Sequence, residues 1–327
     1  MIFKCKNCGG NAIYSPEHRG MYCPYCESEK SEERKYDLYN ITICPDCSGE
    51  LKIDVHTSAL ECPYCNNSII LNERVEGEFE PQKIIPFAYS KKAVKDLLKA
   101  KFKKCIFAPT DFLSEAKLNS MRGEYIPFWM YDYNAHCTYR GEGVKVRTWR
   151  TGNIEHTETS YYDVVRDMNV LYSDIPVDAS MKMPDNIMDL LEPYQYGAMV
   201  DFQPEYMSGF DGEKYNMAAG IVENRANAKM KASAEKIIQN TVNGYLRVNQ
   251  HEKNVSAQVT DTKYCLLPVW KYIYKYNDVL YPFYINGQTG KVVGKVPISK
   301  KKVFAYGATL WGILTFGILM LGGILTL

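Results

Sequence analysis

Positive charge is scarce where this sequence would need it most. Across residues 1–72 there are seven Lys and Arg (positions 4, 6, 19, 30, 34, 35, 52) against ten acids (17, 27, 29, 32, 33, 37, 46, 50, 54, 61), a net of −3. Affinity for duplex nucleic acid comes largely from Lys and Arg displacing counterions. So acidic an N-terminal region is a poor reader of DNA. A secretory leader is also missing: the chain begins Met-Ile-Phe-Lys-Cys, so a reducing compartment is expected and disulfides are disfavoured. No Walker motif occurs. Asn286–Lys291 comes nearest, but only two residues separate Gly287 from Gly290, and Val292 follows Lys291 where Ser or Thr is required. It reads as a hairpin turn between two strands. His156 and Glu158 form a His-x-Glu pair with no Pro-Cys-x-x-Cys downstream to complete a deaminase site. Asp178, Asp185, Asp189 and Glu192 are close in sequence, and read as a solvated helix face. No nucleophile, base and stabiliser set emerges, and no enzyme is expected.

What is abundant is cysteine in register. Eight of the 11 cysteines fall in two identical Cys-x2-Cys-x14-Cys-x2-Cys frames, Cys5, Cys8, Cys23 and Cys26, then Cys44, Cys47, Cys62 and Cys65, each 39 residues after its counterpart. Two residues between cysteines let a tight turn aim two thiolates at one ion, and two such turns complete a four-sulfur site. The spacing predicts two tandem rubredoxin-like ribbons holding two structural Zn²⁺, with iron as the competing metal. Gly9, Gly10 and Gly49 follow knuckles where a reversing backbone needs positive φ. With two metal–tetrathiolate centres of −2 each, the module reaches −7, which favours protein recognition. His18 and His56 lie between knuckles and are expected to face solvent. Cys105, Cys137 and Cys265 are isolated and read as small apolar residues.

The remainder divides into an acidic linker and a long body. The boundaries read as ribbon 1 at 1–36, ribbon 2 at 37–72, a linker at 73–82, a body at 83–299 with halves 83–175 and 176–299, and a basic flank with an apolar helix at 300–327. Each half of the body has a helix pattern followed by an extended segment. The first helix pattern runs from Ser90 to Cys105, with Ser90 as cap; the second runs from about Glu213 to Tyr245, with Val222, Ala226, Met230, Ala234, Ile237 and Ile238 along one side. Pro127-x-Trp129-x-Tyr131 in one half matches Pro268-x-Trp270-x-Tyr272 in the other. The fold class is therefore α+β, with a duplicated helix-plus-antiparallel-sheet body whose two units pack their sheets together. The alternating aromatics are read as core-facing strand positions rather than a base-stacking platform. Val303–Leu327 holds no charge over 25 residues and follows Lys300, Lys301 and Lys302. A C-terminal transmembrane helix is expected there, single-pass and tail-anchored in the cell membrane, with the N-terminal part cytoplasmic.

The runs Ile175–Ser180, Met188–Tyr196 and Tyr206–Phe210 with Glu213-Lys-Tyr215, then Leu267–Trp270 and Asn286–Gly294, resemble a bacterial family of membrane-anchored zinc-ribbon proteins. Its members carry labels such as TFIIB-type zinc ribbon-containing protein or, through the ribbons, PriA-like. Some resemble a Bacillus protein encoded beside a phage-shock-protein-A-like membrane-remodelling protein. The resemblance implies a non-enzymatic membrane adaptor that recruits protein partners, phage-shock-protein-A-like or virion-core-like scaffolds among them. The competing expectation is a membrane-tethered nucleic-acid-binding factor of replication or transcription.

Overall fold

The strand-forming segments are rich in Val, Ile, Tyr, Phe and Trp, residues that fit a pleated, half-buried surface. A computed structural model of the chain describes residues 1–36 and 42–324. The first ribbon contains β1 (Ile2–Cys5), β2 (Ile13–Ser15), β3 (Gly20–Tyr22) and β4 (Ser31–Arg34); the second contributes β5 (Thr57–Glu61) and β6 (Ser68–Ile70). The body runs β7 (Lys83–Ile84), α1 (Lys91–Phe102), α2 (Glu115–Leu118), β8 (Arg122–Thr151), β9 (Ile154–Asp178), α3 (Asp185–Leu191), β10 (Val200–Asp201), β11 (Asp211–Glu213), α4 (Ala219–Thr241), β12 (Arg247–Tyr276), β13 (Val279–Asn286), β14 (Val292–Gly294) and α5 (Lys300–Ile324).

One sheet organises the body. β9, β8, β12, β13 and β14 lie side by side, all antiparallel. β8 and β12 pair about a central point, Ile126 opposite Leu267, and each β12 residue there lies 141 positions after its counterpart in β8. Ile126 and Leu267 are themselves counterparts, so a local two-fold axis passes between them. The surroundings obey the same symmetry. β11 runs parallel to β8 at Glu124 and Tyr125, as β7 runs parallel to β12 at Cys265 and Leu266. The Ala179 N–H donates to the Pro127 carbonyl at 2.9 Å, and the Gly287 N–H donates to the Pro268 carbonyl at 2.9 Å. The two tryptophans cross-brace the halves. Trp129 Nε1 donates to the Met217 carbonyl just ahead of α4 (2.8 Å), and Trp270 Nε1 donates to the Tyr89 carbonyl just ahead of α1 (3.0 Å). Each strand thus fixes the entrance to the other half's helix. The sequence pattern left open how the two units pack their sheets together; they join edge to edge in a single sheet. Around the axis the strands are buried on both faces, the burial that places them at the sheet centre.

Helices cover this sheet according to their periodicity. Val222, Ala226, Met230, Ala234 and Ile238 form the buried stripe of α4 over Tyr131 and Tyr133, with spacing i, i+4. Val94 and Leu98 of α1 share a cluster with Tyr272 and Tyr274, the counterparts of those tyrosines. Ser90 caps α1, its hydroxyl accepting from the Ala93 N–H at 3.3 Å. Met188 and Leu191 of α3 cover Ile126, Phe128 and Leu267 on the opposite face. Two of the buried tyrosine hydroxyls donate to carbonyls, Tyr131 to Ala219 and Tyr272 to Phe112, both at 2.6 Å, whereas the Tyr133 hydroxyl is buried without a protein partner among the described residues.

The ribbons are built into this body rather than strung ahead of it. β5 pairs with β11, so the second ribbon extends the central sheet. Phe3, Tyr14 and Met21 of the first ribbon share a core with Phe87, Tyr125 and Phe210. The Tyr14 N–H donates to the Ser208 carbonyl at 2.9 Å, and the Ser208 hydroxyl donates to the Ala12 carbonyl at 2.8 Å.

The C-terminal expectation is corrected. Among the described residues no helix is long and apolar enough to cross a membrane, so the transmembrane helix and the single-pass, tail-anchored cell-membrane placement are set aside. Freedom from charge is a weaker property than apolarity over a full span. Three lysines open α5, and Tyr306, Gly307, Thr309, Gly312 and Thr315 dilute its apolar stretch; residues 325–327 of the expected span lie outside the described residues. The root of α5 is fixed to the body: the Ser299 N–H donates to the Phe107 carbonyl at 2.8 Å, and Tyr306 meets Phe107 edge to face at 5.5 Å.

The symmetry makes a prediction at Gly287, the counterpart of Ala179. A Cβ at Gly287 would lie 2.7 Å from both Phe87 and Pro268. Gly287→Ala is expected to destabilise the protein by about 1–3 kcal/mol, read as a lowered urea midpoint, although its counterpart position carries that methyl group already.

Candidate metal centres

Each knuckle reverses the chain in the same way. Cys5 N–H donates to the Gly10 carbonyl and Gly9 N–H to the Cys5 carbonyl; the same pair of bonds recurs at Cys23 with Ser28 and Glu27, at Cys44 with Gly49 and Ser48, and at Cys62 with Asn67 and Asn66. The fourth residue after the leading cysteine takes positive φ in every case: Gly9 (72°), Glu27 (62°), Ser48 (58°) and Asn66 (57°). The sequence pattern suggested this requirement for Gly10 and Gly49 as well. Those two glycines serve a different end. A Cβ on Gly10 would lie 2.7 Å from the Tyr25 ring, and one on Gly49 would lie 2.4 Å from the Tyr64 ring. Each ribbon therefore lays the tyrosine of its Cys-Pro-Tyr-Cys knuckle across the glycine of the facing knuckle, leaving Tyr25 69% and Tyr64 66% exposed. The repeated Cys-Pro-Tyr-Cys, 39 residues apart, was the available signal for this pair.

The sulfurs converge as a metal requires. In each group all four ligand atoms lie within 4.8 Å of one another. Cys5–Cys26 and Cys8–Cys23 are 3.5 Å apart, and Cys44–Cys65 and Cys47–Cys62 are 3.7 Å apart. A tetrahedron with metal–sulfur bonds of ~2.3 Å sets its sulfurs ~3.8 Å apart, whereas a disulfide holds them at ~2.05 Å. The donor set thus fits a four-coordinate ion. The backbone N–H of Cys8 holds the Cys5 thiol down to about 6, whereas burial and the neighbouring sulfurs push Cys65 up to about 12. Four thiolates crowd together only around a cation. Lys4, almost fully buried in the first ribbon, binds Asp46 of the third knuckle at 3.0 Å and ties the ribbons together.

The other singled-out residues do not join these centres. His18 stacks on Tyr22 and lies 3.5 Å from Glu29; His56 is half-buried, its Nδ1 enclosed. His156 lies against Trp149 on an exposed hairpin, and Glu158 beside it is exposed. Asn286–Lys291 forms the turn after β13, Asn286 Oδ1 accepting from the Gln288 and Thr289 N–H groups at 2.9 Å. Cys137 and Cys265 are buried, while Cys105 is exposed. The acidic group is no simple solvated face. Asp178 is fully buried, and Arg225 reaches Asp178 (2.8 Å) and Asp185 (3.0 Å) while Lys229 reaches Asp189 (2.7 Å) and Glu192 (2.6 Å). These pairs clasp α3 to α4.

No family model and no solved structure matches the chain. It is 35% identical over 336 residues to the uncharacterized protein YdjG of Bacillus subtilis (strain 168), across 98% of each chain. The chain belongs to the YdjG family. The match spans ribbons and body alike.

Where the second ribbon meets the sheet, one carboxyl is displaced. Burial, reinforced by the nearby Glu213 carboxylate, pushes Glu124 from 4.5 to about 7.

Cys23→Ser and Cys62→Ser are each expected to lower bound metal from two ions per chain to one, measured by elemental analysis, with tetrahedral thiolate bands on cobalt substitution of the parent. Glu124 is protonated in both states at low pH, and its stabilisation is lost as pH rises from 4.5 to about 7. Glu124→Gln is expected to match the parent near pH 4 and exceed it by about 1–3 kcal/mol above pH 7, read from urea midpoints at the two pH values.

Proposed function

We propose that this protein is a non-enzymatic adaptor whose metal-held ribbons recognise protein partners. The ion is zinc in this reading: four thiolates leave no open position for chemistry, and a small ribbon gains its folding energy from the metal. The observation that carries the proposal is the pair of equivalent tyrosines, Tyr25 and Tyr64, exposed on rigid knuckles in an acidic module. Tyr supplies a large contact at low entropy cost and is a frequent anchor of protein interfaces. Both rings are backed by glycine, so they are held without being buried. Buried Asp178 and half-buried Glu192 pair with Arg225 and Lys229, and Glu124 is displaced by burial beside Glu213 at the ribbon–sheet junction.

A second reading, nucleic-acid binding, has one local observation in its favour. At the tip of the β8–β9 hairpin, Arg147 lies over Trp149 at 5.6 Å and Lys145 over Tyr162 at 5.3 Å. Glu155 already pairs with Arg150 there at 3.0 Å, so the tip offers few unopposed cations, and the protein reading is preferred.

The test is capture by full-length tagged protein beside a Tyr25→Ala/Tyr64→Ala variant, with protein and nucleic acid quantified in the same eluate. Phage-shock-protein-A-like scaffolds are the first purified partners to try. Stoichiometric protein capture that falls at least about tenfold in the variant supports the adaptor. Salt-sensitive nucleic acid, retained by the variant and unaccompanied by protein, overturns it.

A further inference from the structure

The edges of the sheet are unequal. β6, β10 and β14 are only two or three residues long, the usual way an edge is blunted. β9 has 25 residues, paired with β8 along one side and, among the described residues, with no strand along the other. α4 covers one face of this hairpin through Val164 and its neighbours, and the outer edge stays open. β12 leaves β8 at Val144, so beyond that point β8 and β9 stand as a two-stranded arm.

Natural edges of such length are protected by Lys or Pro. Between Ile154 and Ile175 there is neither. Instead Tyr161, Val165 and Leu171 are 61%, 52% and 78% exposed on the edge strand. Over residues 154–175 its charges are mostly acidic: Glu155, Glu158, Asp163, Asp167 and Asp174 stand against a single base, Arg166. Arg166 is turned away, donating to the Thr241 carbonyl at 2.7 Å at the end of α4. Glu155 is neutralised by Arg150. Glu158 and Asp163 form no ion pair among the described residues, and Asp167 meets only His136, at 3.6 Å.

We propose that the outer edge of β9, over residues 154–172, is a strand-addition site for an extended, basic segment of a partner protein. The open backbone groups supply main-chain hydrogen bonds, and alternate side chains supply selectivity. Asp163, Val165, Asp167 and Leu171 share the face of β9 away from α4. Lys or Arg at every second position of the added strand would meet Asp163 and Asp167 while their aliphatic stems cover Val165 and Leu171, and β-branched residues would extend the α4-covered face. A second copy of this chain is the poorer occupant, since two β9 edges would bring acids from both strands along one seam. The site is formed by elements other than the ribbons and does not rest on their proposed role.

The experiment uses the full, metal-loaded chain and capped ten-residue peptides of alternating Lys-Val, Lys-Pro or Glu-Val. The Lys-Val peptide is expected to slow hydrogen exchange in β9 at least about tenfold, and Asp163→Lys/Asp167→Lys to weaken its binding about tenfold. The Lys-Pro peptide, equal in charge but lacking the N–H of every second residue and with φ fixed by proline, is expected to give no protection. Retention of Lys-Val binding in Tyr25→Ala/Tyr64→Ala separates this site from the ribbon surface. Unchanged exchange in β9, equal protection by Lys-Pro, or a dimer in sedimentation that Val165→Pro abolishes would each overturn the proposal, the last by making a second copy the occupant.

Discussion

Four thiolates within 4.8 Å of one another repel unless a cation stands between them. That constraint shapes the first 72 residues and reaches well beyond them. The knuckles fix where Cys62 and Cys65 lie, and hence the course of β5 and β6 on either side. β5 then pairs with β11, and β11 with β8. From the other ribbon, Phe3, Tyr14 and Met21 complete the core around Phe87 and Tyr125. A metal held by these groups would thereby be linked to the packing of β5, β11 and the neighbouring part of β8. Binding energy that would fold an isolated ribbon here supports a larger structure.

The body answers with its own symmetry. Two copies of a helix-and-hairpin unit meet at Ile126 and Leu267, and each tryptophan secures the other copy's helix. The copies then diverge at their margins. β11 carries the second ribbon, while β7 carries only the two-residue β10. β9 grows to 25 residues, while its counterpart β13 stops at eight. The shared centre supplies rigidity; the unshared margins, ribbon knuckles and a long acidic edge, are where the proposed interactions lie.

How much of this was legible in the sequence depends on the range of the signal. The gathering of the eight cysteines into two four-sulfur groups was legible, because a tetrathiolate site imposes a fixed local spacing. The α4 stripe at Val222, Ala226, Met230, Ala234 and Ile238 was legible from its period, although Glu213 belongs to β11 and not to the helix. The Pro-x-Trp-x-Tyr repeat announced two related units but not their joining, because edge-to-edge and face-to-face packing bury the same alternating residues. Docking of the ribbons was invisible: Tyr14 on Ser208 is a contact across nearly two hundred residues with no local pattern. The acidic run 178–192 concealed its partners Arg225 and Lys229 for the same reason. At the C-terminus, counting uncharged residues overstated the length of apolar helix.

The central claim is that metal sites and body form one cooperative unit. Native-state hydrogen exchange on the full chain, with and without a thiolate-competing chelator, tests it most directly. The account predicts that metal removal accelerates exchange not only in the knuckles but also in β5, β11 and the β8 segment around Tyr125. Loss of protection confined to residues 1–72, with β8 and β11 unchanged, would contradict it and make the ribbons independent appendages.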